Sequence, residues 1–226
     1  MTETLSLRAK IEQSPMGAYQ WMIVVMAAIM NLLDGFDVLA LAFTATAIRD
    51  EFGLTGIELG YLLSAGLFGM TAGSLFLAPL ADKIGRRPLL LMAVSLSAIG
   101  MLGSAFISQY QWLGFWRVIT GLGVGGILVG TNVITSEYSS RKWRSFAISV
   151  YAAGFGIGAV LGGMFAVMLQ GEYGWRSVFL AGAILTGLLL VVLFIWLPES
   201  IDFLTSKQPK NAEVRLNLIA KKIGLA

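Results

Sequence analysis

Two aspartates, Asp34 and Asp37, stand three residues apart in Leu33-Asp34-Gly35-Phe36-Asp37, inside a stretch that is otherwise apolar. That spacing puts both carboxylates on one face of a helix. A charge deep in a bilayer costs about 2.5–3.5 kcal/mol on insertion scales, so a pair on one face requires a watery cavity, a cationic partner or a proton. Gly35 between them loosens the helix and lets a ligand approach the backbone. The blander alternative is that the two aspartates cap a kink near the outer surface. Arg117 is another charge in an apolar run, and a guanidinium fixed in a cavity can hold a carboxylate bidentately. It can instead snorkel outward between Trp112 and Trp116. The chain has no histidine and no cysteine. That removes Ser-His and Cys-His dyads, histidine or cysteine zinc sites and His-ligated haem. No metal and no cofactor are therefore expected, and any proton chemistry runs through carboxylates. An intramembrane aspartyl enzyme would draw its two aspartates from facing helices, whereas Asp34 and Asp37 share one, so the chain is not expected to be an enzyme.

The elements that must position these groups follow from composition. Of 226 residues, 57% are hydrophobic and only 13% charged, against about 25% charged in a soluble domain; mean hydropathy is +0.78. Too little polar surface exists to wrap that much apolar material. The same balance excludes a disordered chain and a nucleic-acid binder. Charge-free stretches run Gln13–Leu33, Leu59–Ala81, Pro88–Trp116, Val118–Ser136, Ser145–Gly171 and Ser177–Pro198. A helix of about 20 apolar residues crosses a core of about 30 Å, and continuous apolarity favours helices over a barrel. The predicted fold class is an all-α membrane protein with six transmembrane helices in one bundle. The first helix continues through Asp34 and Asp37 to about Ile48. The chain divides into an N-terminal segment 1–17, a bundle 18–198 and a tail 199–226. The first span is too long for a cleavable signal peptide, and five similar spans follow it. Thirteen of the 16 basic residues fall before span one, between spans two and three, between four and five, and after six. By the positive-inside rule both termini are expected in the cytoplasm, with the lysine-rich tail serving as a linker or an amphipathic helix on the anionic leaflet.

Depth can be counted at about 1.5 Å per residue. Entering near Trp112, span four carries Arg117 about 7–8 Å deep; counted from Tyr19, Asp34 lies about 22 Å up from the opposite side. In a core of about 30 Å these depths match, so Asp34 and Arg117 are expected to line one polar chamber and to pair. Glu137 ends span four about 30 Å from Arg117. Its expected company is Arg141, Lys142 and Arg144, or Arg86, as a surface ion pair or as a gate. The 27 glycines fall largely within spans, including Gly121, Gly123, Gly125 and Gly126 in span four and Gly154, Gly158, Gly162 and Gly163 in span five. Small residues at three- and four-residue spacing let helix backbones approach closely, for plain packing or for helices that slide on one another.

Several strings resemble a known family. Ala78-Pro79-Leu80-Ala81-Asp82-Lys83-Ile84-Gly85-Arg86-Arg87-Pro88 resembles the signature loop between helices two and three of the major facilitator superfamily, with Ala78 where that pattern opens on glycine. In physical terms Asp82 can cap the following helix, and the arginines can bind carboxylates or helix C-termini across a mobile interface. Arg117 followed by Gly121, Gly123 and Gly125 resembles the superfamily's helix-four motif. Pro198-Glu199-Ser200 resembles the marker after helix six. The helix-five glycines resemble an antiporter motif, but Ala159 stands where antiporters carry proline, which leans away from drug–proton antiport. Asp34-Gly35-Phe36-Asp37 looks like the helix-one signature of the aromatic acid:proton symporters. The resemblance implies proton-coupled uptake of a benzoate- or hydroxybenzoate-type carboxylate across the cell (inner) membrane. It gives importance to Asp34, Asp37, Asp82, Arg117 and Glu137. Arg117, with Asp34 and Asp37, would bind the organic anion; the two aspartates would carry the proton; Asp82, Arg86, Arg87 and Glu137 would form a cytoplasmic gate. Another organic acid (dicarboxylate, muconate or nicotinate type) is the alternative substrate. The resemblance covers nearly all of this chain but only half of a typical family member. A C-terminal six-helix half is thus an expected partner besides the lipid bilayer, and a half-transporter without flux of its own is the remaining reading.

Overall fold

The computed structural model describes residues 2–225, with side chains from Leu7 onward. The described residues form nine helices: α1 (Thr2–Gln13), α2 (Ala18–Phe52), α3 (Gly56–Ile84), α4 (Arg86–Ala105), α5 (Tyr110–Tyr138), α6 (Arg144–Tyr173), α7 (Trp175–Trp196), α8 (Ile201–Lys207) and α9 (Ala212–Ile223). Six of them, α2 to α7, are long and apolar enough to cross a membrane. α2 does not stop near Ile48. Its 35 residues end at Phe52, before Gly53, whose left-handed backbone (φ 63°) turns its N–H back onto the Arg49 carbonyl. α3 starts on a reciprocal cap: the Thr55 hydroxyl accepts the Glu58 N–H at 3.3 Å, and Glu58 Oε2 accepts the Thr55 N–H at 2.9 Å.

Glycine decides how the six helices pack. α2 and α6 run parallel, and the backbones of Gly154 and Gly158 on α6 press against the carbonyls of Ala28 and Leu32 on α2. Gly35 answers from α2: a Cβ there would collide with the Phe155 carbonyl oxygen. The expected role of Gly35, opening the backbone to a ligand, is therefore replaced by close helix contact, which only a residue without a side chain permits. α3 and α5 are paired the same way, Gly69 and Gly73 against Val118 and Leu122, and Gly121 against Gly66. α4 and α7 pack on one another and stand behind α5 and α2. Of the most apolar part of α5, 61% is buried, against 17% for α3 and 22% for α6. The two flanking helices thus leave wide apolar faces uncovered, as a membrane helix or one awaiting another bundle does.

Apolar side chains gather in two clusters. One, at the end carrying most lysines and arginines, joins Ile23, Met30, Leu90, Tyr138 and Leu193; the other joins Phe36, Leu41, Met101, Trp175 and Phe179. The tail, expected as a linker or surface helix, is α8 and α9 seated on the basic end, with Leu204, Leu216 and Ile219 inside the first cluster. α1 joins them. Arg8 pairs with Asp202 of α8, and Arg144 pairs with Glu12 at 2.8 Å; this guanidinium holds the Glu12 carboxyl below its ordinary range.

Candidate functional site

The register of α2 against α5 brings the membrane-depth charges together. Arg117 and Asp37 are 3% and 2% exposed, and Arg117 Nη1 lies 3.2 Å from Asp37 Oδ1 and 3.3 Å from the Asp37 carbonyl. The other guanidinium nitrogen, Nη2, donates to Thr120 Oγ1 at 2.9 Å and to Ser104 Oγ at 3.3 Å, and meets the Met101 sulfur at 3.0 Å. The Phe179 ring lies under the guanidinium, 4.9 Å from its centre. Ser97 donates to Asp37 Oδ2 at 2.6 Å. The ion pair is therefore held from four helices, α2, α4, α5 and α7. Its geometry is that of a desolvated pair, in which a missing partner costs far more than a surface bridge does.

Asp34 is the aspartate that the depth count paired with Arg117. The structure gives that place to Asp37, one turn further on. Asp34 is equally buried, at 2% exposed, and its Oδ2 has no hydrogen-bond partner. One turn before it on the same face, Asn31 donates its amide to the Tyr151 carbonyl at 2.9 Å and leaves its own Oδ1 unpartnered. Two orphan acceptors thus stand on successive turns of α2, beside α6. A small cavity of about 30 Å³ touches the charged pair and is lined by Asp37, Leu62, Gly66, Arg117, Thr120 and Gly121. It has room for a water but not for an aromatic acid, since ligand pockets measure roughly 300–1,000 Å³.

The four residues expected as a gate all lie at the basic end, where two of them pair with each other and the other two meet groups outside the set. Asp82 pairs with Arg86 at 2.7 Å across one turn. It does not cap α4: the Arg87 N–H at that helix start is taken by Glu199 Oε1 at 3.0 Å. Arg87 Nη2 donates to the Phe194 carbonyl at 2.7 Å. Glu137 meets neither Arg86 nor the basic loop. It accepts Ser200 Oγ at 2.9 Å, the Ile201 N–H at 2.8 Å and the Asp202 N–H at 3.4 Å, so it anchors the first turn of α8. Replacing Glu137 by alanine leaves those buried donors unpaired, and about 1–3 kcal/mol of local stability is expected to go. Limited proteolysis would read this as faster cleavage beyond Pro198, with the bundle fragment surviving; glutamine, which keeps one acceptor, should fall between.

Sequence reading missed Ser97, Ser104, Asn31 and Glu199 as members of these networks. The signal for Ser97, Ser104 and Asn31 was present but weak: they are small polar residues inside apolar spans, and of them only Asn31, three residues before Asp34, has a helical spacing to a charge, as Thr120 has to Arg117.

With the geometry in hand, comparison with known proteins is direct. A family model described as Major Facilitator Superfamily matches residues 27–222. A gallate transporter of Pseudomonas putida is 36% identical over 204 residues, which is 90% of this chain and 45% of that protein. The 4-hydroxybenzoate transporter PcaK of the same organism is 34% identical over 216 residues, 96% of this chain and 48% of its own length. The chain thus spans about half the length of the curated relatives it matches. Among solved structures, a partially occluded, inward-open conformation of the xylose transporter XylE from E. coli superposes with a TM-score of 0.79 over 91% of this chain and 56% of that one. At 22% identity that likeness concerns the fold.

Proposed function

The chain belongs to the Major Facilitator Superfamily, a family of multi-pass membrane transporters rather than enzymes, and on that premise we propose that it forms the first half of a proton-coupled importer of aromatic carboxylates. The observation that carries the proposal is the buried Arg117–Asp37 pair with a second, unpartnered carboxylate one turn away. Arg117 is the cation that a substrate carboxylate would need, but Asp37 already occupies it. Substrate and Asp37 therefore compete for one guanidinium, and a proton passed from Asp34 to Asp37 neutralises Asp37 and frees Arg117 for the substrate. Uptake of the acid and uptake of the proton become favourable together, which is the thermodynamic content of symport. Asp34 offers a place for that proton: its buried Oδ2 has no donor, and a neutral acid does not leave an uncompensated charge there. The names of the two relatives, a gallate and a 4-hydroxybenzoate transporter, support an aromatic acid over an aliphatic one. The cavity beside Arg117 is too small for that acid, so the remaining wall of the site would come from a second six-helix half, in the manner of transporters whose sites lie between repeats. The basic end then faces the cytoplasm, and Asp82, Arg86, Arg87 and Glu137 form the inner side of the gate.

The test is uptake of labelled 4-hydroxybenzoate into vesicles holding the complete protein. Accumulation should collapse with a proton uncoupler. Asp34→Asn should abolish accumulation driven by a pH gradient while leaving exchange of labelled for unlabelled acid. Accumulation that survives the uncoupler, or that Asp34→Asn leaves intact, overturns the coupling.

A further inference from the structure

Behind the charged site, α4 and α7 enclose a groove of about 780 Å³ on the outer face of the bundle. Pro88, Leu91, Met92, Ile99, Val191 and Phe194 are among its walls. Ser95 is the polar residue of the lining, and its hydroxyl is turned onto the Leu91 carbonyl at 2.7 Å. From Pro88 to Ile99 the groove runs about 16 Å along α4, roughly half of an apolar layer of about 30 Å. It therefore has the depth of one leaflet, and it begins at the basic end.

Arg87 stands at that mouth. Its guanidinium lies 6.0 Å from the centre of the Phe194 ring and donates to the Phe194 carbonyl, while its Nε is buried without a partner. Five other arginines, Arg8, Arg86, Arg117, Arg144 and Arg176, each have a carboxylate within ion-pair distance. Among the described residues Arg87 has none, as is true of Arg49, Arg141 and Arg215, but Arg87 alone of these four touches a wall of the groove, through Phe194. The nearby Glu199 carboxylate is directed to the backbone N–H groups of Arg87 and Ser200. An unneutralised cation thus tops an apolar channel that opens sideways towards lipid.

We propose that this groove seats an acyl chain of a phospholipid from the leaflet at the basic end, with the phosphate on Arg87, and that it prefers an anionic headgroup to a zwitterionic one. Charge complementarity commits the groove to lipid. A zwitterionic headgroup brings its own ammonium to offset the phosphate, and an anionic one does not. A second six-helix bundle is the weaker occupant, because the cavity it would complete lies between α2, α3 and α5, on the side of the bundle away from α4 and α7. The inference concerns the chain by itself and stands or falls apart from transport.

The chain, purified in detergent and stripped of lipid, is offered phosphatidylglycerol and phosphatidylcholine with identical acyl chains, and binding is counted by native mass spectrometry. Phosphatidylglycerol should be retained about five-fold or more over phosphatidylcholine, the ratio that one basic side chain near an anionic lipid supplies. Arg87→Gln should remove that preference and Arg87→Lys should keep most of it. Leu96→Trp, which fills the groove with Arg87 intact, should lower binding of both lipids. Equal binding of the two lipids by the unaltered chain overturns the proposal. So does a preference untouched by Arg87→Gln, or a dimer of the chain that Leu96→Trp disperses, which would give the groove to a second copy.

Discussion

Arg117→Ala is expected to remove about 3–5 kcal/mol of stability, because it leaves Asp37 buried without a cation. Asp37 would keep only the Ser97 hydroxyl, and Thr120, Ser104 and the Phe179 face would lose the group they surround. Thermal unfolding of the purified chain reads this as a large drop in midpoint. Loss of stability alone would not separate a structural pair from a substrate site, so the pair must be removed as a unit. Replacing both partners with apolar residues, Arg117→Met with Asp37→Leu, takes away the uncompensated charge. Such exchanges are often neutral or stabilising by about 1–4 kcal/mol. The double variant should therefore unfold near the parent, yet in the complete protein it should lose all stabilisation by 4-hydroxybenzoate, which the parent gains by mass action. Arg117→Lys should recover part of the stability but little of the ligand response, since an ammonium cannot span Asp37, Thr120 and Ser104 in one plane. A double variant that still responds to the acid would place the substrate elsewhere.

How far this site could be read in the sequence differs from residue to residue. The six spans follow from apolar length, and the Arg117–aspartate meeting follows from depth, because rise per residue is fixed. Which aspartate meets Arg117 was beyond that count. Asp34 and Asp37 are about 4.5 Å apart along the helix, less than the freedom left by helix tilt. The choice is made by rotation of α2, which the contacts of Gly35, Gly154 and Gly158 with facing carbonyls fix. Those contacts lie between helices far apart in sequence. Glu137 shows another limit. Its partners are two backbone N–H groups and a serine about sixty residues onward. Every residue but proline carries such an N–H, so nothing in the letters near Glu137 distinguishes it from a carboxylate seeking arginine. Asp82 has the residue type and place of a cap for α4, but the cap is Glu199, from beyond the sixth span. In each case the residue type was right for the chemistry, and the partner was set by how distant segments dock.

The same glycine contacts make the helix pair α2–α6 the place where one added side chain does most harm. At Gly158 a Cβ would overlap the Leu32 carbonyl oxygen, and the atoms it meets are backbone, which cannot rotate away. Overpacking against mobile side chains costs about 1–3 kcal/mol; against a rigid helix backbone the cost lies at or above that range. Gly158→Leu is expected to part α2 from α6. It would disturb the rotation of α2 that brings Asp37 to Arg117, so the protein should lose both its cooperative unfolding transition and its ligand response. Gly156 sits two residues away on the same helix, and a Cβ there meets nothing within 4 Å. Gly156→Ala should be tolerated and can stabilise by up to about 1 kcal/mol through helix propensity. Comparing the two variants by detergent-solubilised yield and unfolding midpoint tests the contact itself rather than glycine in general. If both glycines tolerate larger residues alike, close backbone contact is not what holds α2 in register, and the pairing of Arg117 with Asp37 must be maintained by the polar ring of Ser97, Ser104 and Thr120 instead.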